Sequence, residues 1–170
     1  MPNRSCRAVV ATALVLVLAA APVQAQWVPS GELANVLVVH DCSQTAGDVA
    51  VSRLDPPTVY LCDTVVRLVR KKDPGAEHFY FVHEFGHIAM ATSDEAAADC
   101  WAARALAGAP HGGRYLRAAI EHFRARPDDY SRRYGTPNQR AERIRRCAEE
   151  ARPDGDAIDP APPASPRRGR

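Results

Sequence analysis

Two histidines four positions apart, in the run His83-Glu84-Phe85-Gly86-His87, constrain this chain more than any other feature. Residues at that spacing lie one turn above each other on one face of an α-helix, so a helix brings both imidazoles to a single point. Two convergent imidazoles begin a divalent-metal site, with each nitrogen standing about 2.0–2.1 Å from the ion. Glu84 is rotated to the neighbouring face, where its carboxylate can hold a water without entering the coordination shell. That is the position of a general base.

With 6 histidines and 8 glutamates in 170 residues, chance alone produces such a motif in roughly one chain of this composition per hundred. The motif therefore needs support from elsewhere. Without it, the same residues describe an amphipathic helix with two solvated or core-satisfied histidines. A catalytic zinc takes three protein ligands and keeps a vertex for water, so a third ligand is required. Glu95 is the nearest candidate, with seven residues between it and His87, a gap that suits a tight helix–turn–helix with Ser93 capping the second helix. Asp99 lies one turn further on the same face. It could fix a ligating histidine's tautomer through the other ring nitrogen, or itself be the third ligand. Alternatively, Asp94 and Glu95 simply complement a helix dipole.

His83-Glu84-Phe85-Gly86-His87 followed by Glu95-Ala96-Ala97-Ala98-Asp99-Cys100 resembles the gluzincin group of zinc metallopeptidases, and most closely its small exported members. The likeness covers residues 59–107 and, more loosely, the stretch to Cys147. It implies a zincin-like fold with one Zn²⁺ at His83, His87 and Glu95. It also implies that Glu84 activates water and that Asp99 supports a ligand.

Arg4 and Arg7 precede an apolar run from Ala8 to Ala21, and Val23-Gln24-Ala25 forms a small-residue cleavage site, so residues 1–25 read as a signal peptide. Pro22 interrupts the run before it reaches the roughly 20 residues of a membrane span, so no stable insertion is expected after processing. Losing Arg4 and Arg7 takes Lys+Arg from 22 to 20, equal to the 20 Asp+Glu, and a near-neutral mature chain implies no polyanionic partner such as nucleic acid. The expected location is secreted or periplasmic. Cys42, Cys62, Cys100 and Cys147 remain, an even number in an exported chain, with no Cys-x-x-Cys pair to indicate a zinc cluster. We expect Cys42–Cys62 to join two strand-like runs. Cys100–Cys147 should tie the helix carrying Glu95 and Asp99 to the last helix.

The runs Asn35–His40 and Thr58–Cys62 are rich in β-branched residues and read as strands. Asp63 is placed to cap a short helix that ends in Arg70-Lys71-Lys72. The motif helix should run from Ala76 to Met90 and bury Phe79, Val82, Phe85 and Met90, with Gly86 packing closely against a strand. Further helices are expected over 94–107, 114–126 and from Thr136, where Thr136-Pro137-Asn138-Gln139 has a capping-box pattern. Residues 26–152 form one mainly helical α+β domain with a small antiparallel sheet, and the Pro-, Asp- and Arg-rich residues 153–170 a disordered tail.

These readings converge on an exported zinc metallopeptidase acting on a peptide or protein. A zinc amidase acting on cell-wall peptides and a catalytically silent binding protein remain the alternatives. The oxyanion of the reaction needs a further donor. His111, His122, Tyr115, Tyr130 and Tyr134 are candidates that the sequence does not rank, while His40 and His78 read as bystanders. Nothing in the sequence specifies the substrate or the oligomeric state.

Overall fold

The computed structural model describes residues 31–127 and 129–152. The expected signal peptide and C-terminal tail lie outside these residues. Three strands are described, β1 (Leu37–His40), β2 (Ala50–Leu54) and β3 (Pro57–Leu61), followed by five helices. The helices are α1 (Asp63–Lys72), α2 (Ala76–Ala89), α3 (Glu95–Ala107), α4 (Gly112–Arg124) and α5 (Pro137–Glu150). The mainly helical α+β class is as expected. Among the described residues no helix is long and apolar enough to cross a membrane.

The sheet is mixed rather than wholly antiparallel, in the order β1-β3-β2. The strand unforeseen from sequence is β2, and it explains the difference. Its antiparallel hairpin with β3 turns through Asp55-Pro56, so the chain reverses twice between β1 and β3 and those two run parallel. Their C-terminal ends therefore coincide, which brings Cys42 and Cys62 together in a disulfide. β2 evades sequence reading because Ala-Val-Ser-Arg-Leu has too few β-branched residues to stand out from a loop.

α2 is the central element, touching α1, α3, α4, β2 and β3. Phe79, Val82, Phe85, Leu106, Leu116 and Ile144 are fully buried around it, and Phe79 meets Phe123 edge-on at 6.1 Å between ring centres. Met90, expected in that core, is 52% exposed because it sits past the helix end. α4 buries a stripe of Tyr115, Leu116, Ala119, Ile120 and Phe123 at helical spacing. The capping box at Thr136 and Gln139 is present.

Local capping differs in two places. Asp94, not Ser93, caps α3, its Oδ1 accepting from the backbone N–H groups of Ala96 and Ala97. Cys62, without a side-chain bond, occupies the cap of α1, while Asp63 inside the first turn contacts His40 Nδ1 at 2.7 Å. Gly86 packs on a helix rather than a strand. A Cβ there would stand 2.9 Å from the Ala98 carbonyl oxygen, so glycine lets α2 and α3 approach at that level. The second expected disulfide, Cys100–Cys147, links α3 to α5.

Candidate metal centre

Two turns of α2 carry His83 and His87 on its face toward α3. After Met90 the chain reverses sharply: Ala91 has a positive φ of 46°, and Thr92 N–H bonds back to the His87 carbonyl at 3.0 Å. α3 thus starts with Glu95 in its first turn, directly opposite the two histidines. All three side chains are buried.

Their inner atoms make a small triangle. His83 Nε2 lies 2.9 Å from Glu95 Oε2, His87 Nε2 lies 3.3 Å from the same oxygen, and the two Nε2 atoms are 3.1 Å apart. Ligands about 2.0–2.1 Å from a tetrahedral ion are separated by about 3.3 Å, so the triangle has nearly the dimensions of one tetrahedral face.

The outer contacts decide what those inner atoms can offer. His87 Nδ1 is 2.9 Å from the Thr92 carbonyl oxygen, an acceptor only, so Nδ1 carries the proton and a neutral His87 turns the lone pair of Nε2 inward. His83 Nδ1 lies 2.9 Å from Asp99 Oδ1, another acceptor, in a charge contact too bent to be a good hydrogen bond, and the same tautomer follows. With both histidines neutral, two nitrogen lone pairs and a carboxylate oxygen converge with no proton between them. Such a cluster repels itself unless a proton or a cation enters it, and His83, His87 and Glu95 form a group that could hold a metal ion.

Asp99 itself contributes no atom to the triangle. It is fully buried, and Arg140 reaches it through Nε, 3.1 Å from each carboxylate oxygen, and through Nη2, 2.8 Å from Oδ1. Arg143 adds contacts to Oδ2 at 3.2–3.3 Å and donates to the Tyr134 carbonyl at 2.8 Å. Burial alone would raise the Asp99 pKa, but Arg140 and His83 outweigh it and hold the carboxyl below its ordinary value. For His83, burial disfavours the imidazolium, yet Asp99 and Glu95 prevail and raise its pKa. Glu95 is likewise lowered, its burial outweighed by the two histidines. Its second oxygen, Oε1, contacts Arg133 Nε.

Comparison with family models, curated proteins and solved structures returns no match. The functional reading therefore rests on the residues.

Glu84 turns away from the triangle, as its place in the motif predicts. It lines an open cleft of about 160 Å³ with Ser52, His87, Thr92, Arg133 and Tyr134, and its Oε2 accepts a hydrogen bond from Ser52 Oγ at 2.7 Å. Tyr134 is the only one of the five proposed oxyanion donors to line this cleft. Two guanidinium groups lie over its ring, Arg140 at 4.4 Å and Arg133 at 5.5 Å from its centre. Burial, followed by the Glu95 charge, pushes its hydroxyl pKa up to about 12, so it is a donor at neutral pH.

The other candidates are engaged elsewhere. His122 is held by Asp73 at 2.6 Å and Tyr80 at 3.0 Å, Tyr115 is buried against His78, and His111 precedes α4 at a positive φ. Tyr130 is 71% exposed in a neighbouring cavity, and His40 is exposed beside Asp63.

Sequence reasoning missed Ser52, Arg133, Arg140 and Arg143. No local signal marks them. Each arrives from a segment more than 30 residues from its acidic partner.

Proposed function

We propose that the chain is an exported zinc metallopeptidase of the gluzincin type, with His83, His87 and Glu95 as ligands of one Zn²⁺ and Glu84 as general base. The observation that carries this reading is the convergence of three lone pairs from His83, His87 and Glu95 beside a carboxylate that stands outside their triangle. Two neutral imidazoles and one carboxylate are the donor set of catalytic zinc. A zinc ion held there supplies Lewis acidity to a water and to a scissile carbonyl.

The chain's own groups do the rest. Glu84, oriented by the Ser52 hydroxyl, takes a proton from the attacking water and returns it to the leaving amine. The Tyr134 hydroxyl donates to the oxyanion as it develops. Asp99 keeps His83 in the tautomer whose Nε2 faces inward, and Arg140 keeps Asp99 ionised.

The cleft also favours an extended substrate. Cys62 N–H bonds the Val49 carbonyl at 3.0 Å, which sets the ladder so that Val51 and Arg53 pair with β3. Backbone groups of Ala50, Ser52 and Leu54 then face the edge of β2 that pairs with no other strand among the described residues, where a peptide strand could add. Two disulfides fit an oxidising compartment, in keeping with a secreted or periplasmic protein.

The test is metal analysis joined to turnover. The purified protein should hold one equivalent of zinc. Glu84→Ala should keep it and lose hydrolysis, whereas His83→Ala should lose both. Full turnover in the Glu84 variant would refute the assignment.

A further inference from the structure

Between α4 and α5, residues 131–135 form a tight turn closed at both ends. Ser131 and Gly135 exchange backbone hydrogen bonds of 2.8 and 3.0 Å, and Ser131 Oγ accepts from the N–H groups of Arg133 and Tyr134 at 3.2 and 3.4 Å. This turn fixes the backbone from which Arg133 reaches the cleft. Arg133 is the sole Lys or Arg among the described residues lining the cleft with Glu84 and His87.

The side chain is anchored at one atom and open at the others. Its Nε contacts Glu95 Oε1, a buried oxygen, while the side chain as a whole stays 61% exposed. Among the described residues neither Nη1 nor Nη2 has a hydrogen-bond or ion-pair partner. A guanidinium presents two parallel N–H groups along its Nη1/Nη2 edge, the spacing of a carboxylate's two oxygens. A surface arginine without a partner is ordinarily mobile. This one is held by the contact to Glu95, so the ordering cost of binding an anion through its free edge is reduced.

We propose that Arg133 is a specificity-determining residue that binds a carboxylate of the substrate, through Nη1 and Nη2, beside the bond to be cut. The inference rests on the peptidase reading above and narrows it to peptides with an anionic group at this end of the cleft. Two sources present the same chemistry, a peptide's C-terminal carboxylate and an internal Asp or Glu side chain. The acidic residues that border the cleft, Asp48 and Glu84, disfavour an anion elsewhere in it and leave the Arg133 edge as its place.

The test compares one set of mixed-sequence peptides in three forms: free C-terminal acid, C-terminal amide, and amide with an internal glutamate. The zinc-loaded full-length protein should cleave one of the two carboxylate-bearing forms about tenfold or more faster, by kcat/KM, than the plain amide. The preferred form identifies the source. In Arg133→Ala, checked for zinc content and melting temperature, this ratio should collapse toward one, and Arg133→Lys should restore part of it. A purely structural role for Arg133 would lower all three rates together and leave the ratio unchanged, which would overturn the inference.

Binding of the same peptides to zinc-loaded Glu84→Gln, followed by calorimetry, separates the two readings. Preferential binding of a carboxylate form without hydrolysis by the wild type defeats the peptidase reading and sustains the role of Arg133. Hydrolysis of all three forms at equal rates defeats the role of Arg133 and leaves the peptidase reading standing.

Discussion

Arg140 holds Asp99 through two nitrogens, with Nε 3.1 Å from both carboxylate oxygens and Nη2 2.8 Å from Oδ1, and the pair is buried beneath the histidines. The guanidinium also stacks 4.3 Å from the Phe123 ring centre, so its apolar face is covered while its edge pairs. Removing Arg140 strips the buried carboxylate of its main partner and leaves it only the longer contacts of Arg143 and the contact with His83. Arg140→Met should destabilise the fold by about 3–5 kcal/mol at neutral pH, measured by urea unfolding. The folded state lowers the Asp99 pKa, so the stability gained is present above the unfolded value of 3.8 and is lost as pH falls below it. The gap between wild type and Arg140→Met should therefore narrow between pH 5 and pH 2. An equal gap at both ends would argue against this pairing as its source.

Asp99→Asn separates charge from shape. It removes the anion that faces His83 Nδ1 while keeping the side chain's size. Zinc affinity should fall about 10–100-fold, read by competition with a chromogenic chelator. If the affinity matched wild type, the tautomer of His83 would have to be set by another group.

Gly86→Ala tests the approach of α2 to α3. In an exposed helix the change would gain about 1 kcal/mol. Here the added methyl would meet the Ala98 carbonyl oxygen at 2.9 Å and its Cα at 3.1 Å, so the variant should instead lose about 1–3 kcal/mol. Zinc affinity should drop as well, because Glu95 moves with α3. A stabilised variant would show that the helices can separate freely.

Loss of the Cys100–Cys147 bridge, which spans 47 residues and lies next to Asp99, should cost about 2–4 kcal/mol and weaken metal binding. Loss of Cys42–Cys62, beyond the ends of β1 and β3, should lower stability but affect zinc affinity less. Paired Cys→Ser variants compared by thermal melting and zinc competition would expose the difference. Equal effects on affinity would show that α3 does not depend on its tie to α5.

Ser52→Ala removes the hydroxyl that donates to Glu84 at 2.7 Å. Peptide hydrolysis should fall about tenfold with the zinc content unchanged, since Ser52 touches no ligand. A simultaneous loss of metal would place Ser52 in the structural support of the site instead.

The histidine pair was legible because a four-residue spacing is a property of one helix and needs no tertiary information. Glu95 was legible because the reversal between α2 and α3 is too short to place the start of α3 anywhere but opposite its predecessor. The helix spans and the capping box at Thr136 were readable for the same reason, being set by neighbours within one or two turns. Both cysteine pairings also came out as expected. Strand β2 was not legible, and without it the parallel pairing of β1 and β3 had no cause.

By itself, then, the order of residues determined a helix with two inward imidazoles, a carboxylate beside them and the periodic faces that bury the core. Only the tertiary structure decided that Asp99 faces the outer nitrogen of His83 rather than the triangle, that Ser52 orients Glu84, that Tyr134 overlooks the cleft, and that Arg133 and Arg140 neutralise opposite sides of the site. The reason is range. Backbone hydrogen bonding and side-chain period act over a few residues and can be read from the string, whereas these partners lie 16 to 41 residues apart and meet only through the angles at which strands and helices pack.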